Sequence, residues 1–142
     1  MIWRDIRDAS VSDRIDLERK GVTIPMVRQF KEELRITSGQ LAQAMGMTPD
    51  ALRRRLANDK GRFRGVQAWT VLGLMDLVAF TDALADRQLP AKGYFDPAGF
   101  LGKWLFQPQP LIGGLPAWIA DTPSGRKELK RVIGVSQLGA GF

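Results

Sequence analysis

Thr37-Ser38-Gly39-Gln40-Leu41-Ala42-Gln43-Ala44-Met45-Gly46-Met47-Thr48-Pro49-Asp50-Ala51-Leu52-Arg53-Arg54-Arg55-Leu56 contains two helix starts with a helix stop between them. Thr37 and Gln40 have the spacing of a capping box, in which each side chain satisfies the other's backbone N–H. Gly46 lies where a helix ends in a left-handed conformation. Thr48-Pro49-Asp50 then supplies an N-cap, a proline at the first helical position and an acid at the positive end of the dipole. Two short helices joined by a glycine turn, the second one basic, predict a helix-turn-helix. Ala42 leaves room where the helices approach, and Leu41, Met45, Met47 and Leu52 fill the space between them.

In such a unit the second helix enters the major groove and the first lies over the backbone. The candidate DNA contacts are Thr37, Ser38 and Gln40 on the first helix, Thr48, Pro49, Asp50, Arg53 and Arg54 on the second, and Lys60 beyond it. Arginine binds guanine through two hydrogen bonds, and lysine reaches phosphates. Arg55 falls where these units often carry an apolar residue. Either Leu56 takes that core role or the helix is rotated, and one arginine of Arg53–Arg55 can serve to tie helices together. The alternative reading is a plain helical hairpin with a solvated, charged face.

Outward from this unit the pattern stays helical. Residues before Gly21 are rich in Arg and Asp, with sparse apolar positions at Ile6, Val11, Ile15 and Leu17, and read as a short helix or a capping arm. Thr23-Ile24-Pro25 starts a helix bearing Val27, Phe30 and Leu34 on one stripe. Gly61 and Gly65 break the chain before a long helix from Val66. Its apolar run to Leu84 is interrupted by Gln67, Thr70, Asp76, Thr81 and Asp82, so it reads as a buried helix and not a bilayer span. Trp69, Leu72, Met75 and Phe80 on it belong to an isologous dimer surface or to the core.

A linker follows Leu89-Pro90-Ala91-Lys92-Gly93. Asp96-Pro97 then opens a helix through Phe106, Pro108 to Gly114 is irregular, Pro116 to Asp121 makes one short helix, and Thr122-Pro123 starts the last. No strand and no repeat is predicted. The expected fold is all-α: an N-terminal helix-turn-helix region over 1–65, a connecting or dimerisation helix over 66–90, and a small helical domain over 91–142.

Composition narrows the chemistry. The 142 residues carry a net charge of +6 and a pI near 10.2, which favours polyanionic partners or simply keeps a soluble protein dispersed. There is no cysteine and no histidine. Disulfides, the usual zinc sites and His-dependent catalysis are therefore ruled out, and a reducing cytoplasm is the expected home. No pair of carboxylates has a catalytic spacing, so the expectation is a binding protein with no cofactor and no metal. The N-terminus lacks the apolar core of a secretory leader, and no membrane association is expected.

The last third is the most distinctive stretch. It runs Trp104-Leu105, Pro108, Leu111, Gly113-Gly114, Pro116, Trp118, Thr122 and Gly125. With Ile36 to Ala42, Met47-Thr48-Pro49 and Arg53 to Arg55, it resembles the Xre/MbcA/ParS family of bacterial antitoxins from about Gly21 onward. The resemblance implies an antitoxin that pairs with a RES-domain, NAD-degrading toxin, covers its active-site entrance and represses its own promoter by binding operator DNA. A homodimer and a hetero-oligomer with the toxin are implied.

On that resemblance Trp104, Leu111, Gly113, Gly114 and Trp118 shape the toxin-binding domain. Arg126, Lys127, Lys130 and Arg131 meet acidic groups of the toxin. The tail from Leu138 to Phe142 inserts as a plug. From the residues alone, Trp104 and Trp118 read first as core anchors, Gly113-Gly114 as a backbone turn, and the basic run from Arg126 to Arg131 as a complement to a helix C-terminus. The competing function is a solitary helix-turn-helix regulator with no toxin.

Overall fold

The computed structural model describes residues 1–89, 95–136 and 138. Eight α-helices lie among them: α1 Ile2–Arg7, α2 Val11–Lys20, α3 Ile24–Leu34, α4 Ser38–Met45, α5 Pro49–Leu56, α6 Val66–Gln88, α7 Pro97–Trp104 and α8 Pro123–Val135. A 3-10 helix spans Pro116–Ile119. The fold is mostly α, as the sequence predicts.

Most starts are set by local chemistry. The side chains of Ser10, Thr23, Thr37, Thr48, Asp96 and Thr122 each accept the N–H three residues on, at 2.9–3.3 Å. Such a cap is worth about 1 kcal/mol. Pro25, Pro49, Pro97 and Pro123 stand in the first turns, where a missing N–H costs nothing.

One element departs from the expected all-helical chain. Val22–Thr23 (β1) pairs antiparallel with Arg62–Phe63 (β2), Val22 opposite Phe63. Two residues a side are too few to read as strands in the sequence. Tertiary burial holds them together, since Val22 and Phe63 are both fully buried.

The long helix α6 is the central post. Buried residues recur along its length from Ala68 to Ala85, and α1, α2, α4, α7 and α8 all pack on it. It is long and apolar enough to cross a membrane by length and composition, with about 67% of its most apolar window buried. That buried surface is used up by the other helices. Buried residues from Trp3 in α1 to Leu138 after α8 join one hydrophobic cluster. Helix α7 crosses α3 closely at Gly102, where any Cβ would run into the Leu34 carbonyl.

Candidate functional site

Helices α4 and α5 form the predicted pair. The capping box is complete: Thr37 Oγ1 accepts from Gln40 N at 3.1 Å, and Gln40 Oε1 accepts from Thr37 N at 3.0 Å. Gly46 ends α4 in the left-handed region at φ 70°. Leu41, Ala42, Ala44, Met45 and Leu52 are buried between and beneath the helices. Packing at small residues and a turn only glycine adopts cheaply hold α4 and α5 together as a tight helical pair.

Thr48, Pro49, Asp50, Arg53 and Arg54 are exposed on one face of α5, with Lys60 exposed in the loop beyond. Thr37, Gln40 and Thr48 spend their side chains on helix caps, and Ser38 is half-buried. Arg53 pairs with Asp50 one turn back. Arg54 and Lys60 make no ion pair among the described residues. The long cations are thus the groups best able to reach a phosphate or a base edge.

Arg55 behaves differently from its two neighbours. Its guanidinium lies over the Phe63 ring, 4.3 Å from the centroid. Nη2 donates to the Arg62 carbonyl at 2.6 Å, and Nη1 faces Gln67 Oε1 at 3.5 Å. Leu56 is half-buried against the core. Arg55 is therefore the arginine that ties elements together, and Leu56 takes the apolar role. Arg28 of α3 adds a tie no sequence signal revealed: its Nη2 donates to the Leu56 carbonyl and to Asp59 Oδ1, both at 2.7 Å.

A second surface lies in the last third. Trp104 is 1% exposed, whereas Trp118 is 61% and Leu111 62% exposed. The reading of both tryptophans as core anchors is corrected for Trp118, because the 3-10 helix turns its Pro116 and Ala117 inward instead. Trp104, for its part, offers no surface to a partner and supports the domain from inside.

The loop between α7 and the 3-10 helix is tight. Ile112 N and Gly113 N both donate to the Gln109 carbonyl, at 3.0 and 2.9 Å, and Gln109 N donates to the Gly114 carbonyl at 3.0 Å. Gly113 has φ 78°, so that glycine is a turn. Leu111 projects from the loop. The Trp118 ring lies on Gly114, where a Cβ would meet Cζ3 at 2.6 Å. Gly114 thus lets the indole approach the backbone closely, with most of the side chain still open.

The basic residues of α8 divide into internal and external. Arg126 is half-buried against Gly73 of α6 and donates to the Ala120 carbonyl at 3.0 Å and to Thr70 Oγ1 at 3.4 Å. Burial pushes its pKa down, partly offset by Asp121 and Asp76. Arg126 is therefore a bracket inside the molecule, a correction to its expected role at a toxin's acidic groups. Lys130 sits over the Phe80 ring at 5.0 Å, and Arg131 pairs with Glu128. Lys127 is exposed.

Leu138 is 8% exposed and its N–H donates to Gln88 Oε1 at 2.9 Å. It packs on the core, which corrects its expected place in a plug. Phe142 and the glycines before it lie outside the described residues. Among the described residues no three His, Cys, Asp or Glu are grouped to hold a metal.

No family model matches the chain. Over 139 residues, spanning 97% of this chain and 86% of the relative, the sequence is 29% identical to a protein of Sphingobium sp. (strain YBL2) named Prs ADP-ribosylating antitoxin. A likeness running along most of both chains supports an antitoxin role.

Proposed function

We propose that this chain is the antitoxin of a two-protein system. Its toxin is an NAD-consuming enzyme of the RES type, and the complex binds its own operator through α4 and α5. The observation that carries the reading is the nearly full-length likeness to a relative whose name joins an antitoxin to ADP-ribosylation of Prs. ADP-ribosyl transfer breaks the glycosidic bond of NAD and frees nicotinamide, so such a toxin and an NAD-degrading one consume the same substrate.

Neutralisation of this kind needs no bond made or broken by the antitoxin. It needs a rigid apolar surface that fits over the toxin's active-site entrance, and Trp118 with Leu111 supplies such a surface. An exposed aromatic on a constrained backbone is the usual anchor of a protein interface. For the DNA half, a homodimer presents two copies of α5 to paired half-sites. Arg53, Arg54 and Lys60 supply the charge, with affinity falling steeply as salt rises.

The test is to express the neighbouring gene with and without this chain, following growth, cellular NAD and released nicotinamide. Rescue of all three, with a stable complex between the two products, supports the antitoxin reading. A harmless neighbour, with operator binding retained, transfers the assignment to a solitary regulator.

A further inference from the structure

Gly21 is a meeting point of charges far apart in sequence. Helix α2 ends on it with Arg19 and Lys20 in its last turn, at φ 101°. Strand pairing brings β2 across it: a Cβ on Gly21 would meet Arg64 Cγ at 3.0 Å and Arg62 Cβ at 3.2 Å. Arg62 Nη1 donates to the Gly21 carbonyl at 3.2 Å. Lys60 stands in the loop between α5 and β2.

Most of this charge is unpaired. Arg19, Lys60, Arg62 and Arg64 are exposed and make no ion pair among the described residues. Lys20 faces only Asp16, 3.7 Å away and equally exposed. The nearby acid, Asp59, is taken by Arg28. A helix C-terminus favours one or two cations, which accounts for Arg19 and Lys20 but not for the three on the loop and strand. Like charges gathered on a surface repel until a polyanion covers them.

We propose that Arg19, Lys20, Arg62 and Arg64 form a second DNA-contacting surface, gripping the phosphate backbone beside the half-site that α5 reads. The inference rests on the DNA-binding reading of α4 and α5. Arg55 gives the physical link, since it bonds α5 to the Arg62 carbonyl and stacks on Phe63. Arg55 therefore ties α5 directly to the basic strand. Contacts to phosphate carry no sequence information and set register and affinity.

The test compares the full chain with Arg19→Gln/Arg64→Gln and with Arg54→Ala. Binding to the promoter fragment upstream of its own gene, and to an unrelated duplex of equal length, is followed by fluorescence anisotropy over a salt series. Removing one cation from a phosphate makes the log–log salt slope shallower by about 0.9. The double variant should bind both duplexes more weakly, and the wild type's advantage should shrink about tenfold between roughly 50 and 200 mM salt. Arg54→Ala should lose the preference between duplexes.

An unchanged slope in a double variant that melts like wild type overturns the second surface while leaving the α5 reading intact. A wild-type chain that binds neither duplex removes both. Should the double variant fold poorly, Arg19→Gln at the exposed end of α2 carries the same test with one cation: a slope shallower by about 0.9 supports the surface, and an unchanged one overturns it.

Discussion

Asp121 lies against Gly46: a Cβ on that glycine would stand 2.9 Å from Asp121 Oδ2. The turn between α4 and α5 and the end of the segment carrying Trp118 are therefore in direct contact. Gly46 meets two demands at once, a φ of 70° and the absence of a side chain.

Gly46→Ala is expected to lower stability by about 1–2 kcal/mol, the cost of a left-handed non-glycine residue plus crowding. Asp121→Ala in the same chain should recover only the crowding part. Urea midpoints of the two single variants and the double variant measure it. Full recovery would mean that the backbone conformation costs nothing there.

The two tryptophans of the last third should separate cleanly. Trp104→Ala empties a fully enclosed site and should cost about 3–5 kcal/mol of stability. Trp118→Ala should change stability by less than about 1 kcal/mol but weaken toxin binding by about 2 kcal/mol, roughly thirtyfold. Thermal melts and calorimetric titration with the toxin check both halves. Undiminished affinity in Trp118→Ala would place the interface elsewhere.

Adjacent arginines on α5 should give opposite results. Arg55→Met removes a 2.6 Å bond to the Arg62 carbonyl and a cation held over Phe63, and should destabilise by about 1–2 kcal/mol. Arg54→Met should leave stability within about 0.5 kcal/mol and reduce operator affinity. Equal stability losses in the two variants would contradict the division between a bracing and a reading arginine.

Stability should be flat from about pH 5.5 to 8, where no side chain of this histidine-free chain has its ordinary pKa. Arg7 holds Asp8 below the usual carboxylate range, and Arg131 does the same for Glu128. A depressed folded pKa stabilises above the unfolded value and is lost as pH falls through the folded one. The decline therefore belongs in acid, below about pH 4, and it is shallow because both carboxylates are solvent-exposed. Urea midpoints across pH test this, and a step near neutrality would refute it.

Much of the helix-turn-helix was legible from residues alone. Thr37, Gln40 and Thr48 act within a few residues of themselves, so their spacing carries the whole interaction. The long-range partners of the site were not legible. Nothing near Arg28 in sequence announces the Leu56 carbonyl, and at Gly125 the local pattern does not announce that a Cβ would strike the carbonyl of Ile119 in the turn before. Thr122-x-x-Gly125 can be read as a pattern, but the reason for its glycine is a backbone approach from another turn.

Residue order and composition already set where helices begin, where α4 must turn, and which chemistries a chain without histidine or cysteine forgoes. These follow from local hydrogen bonding, backbone sterics and composition. Tertiary packing alone leaves Trp104 enclosed and Trp118 open, makes Arg55 a brace while Arg54 stays exposed, and brings Arg62 and Arg64 against Gly21. Burial and charge clustering depend on which distant segments pack together, and that is set by the shared core around α6.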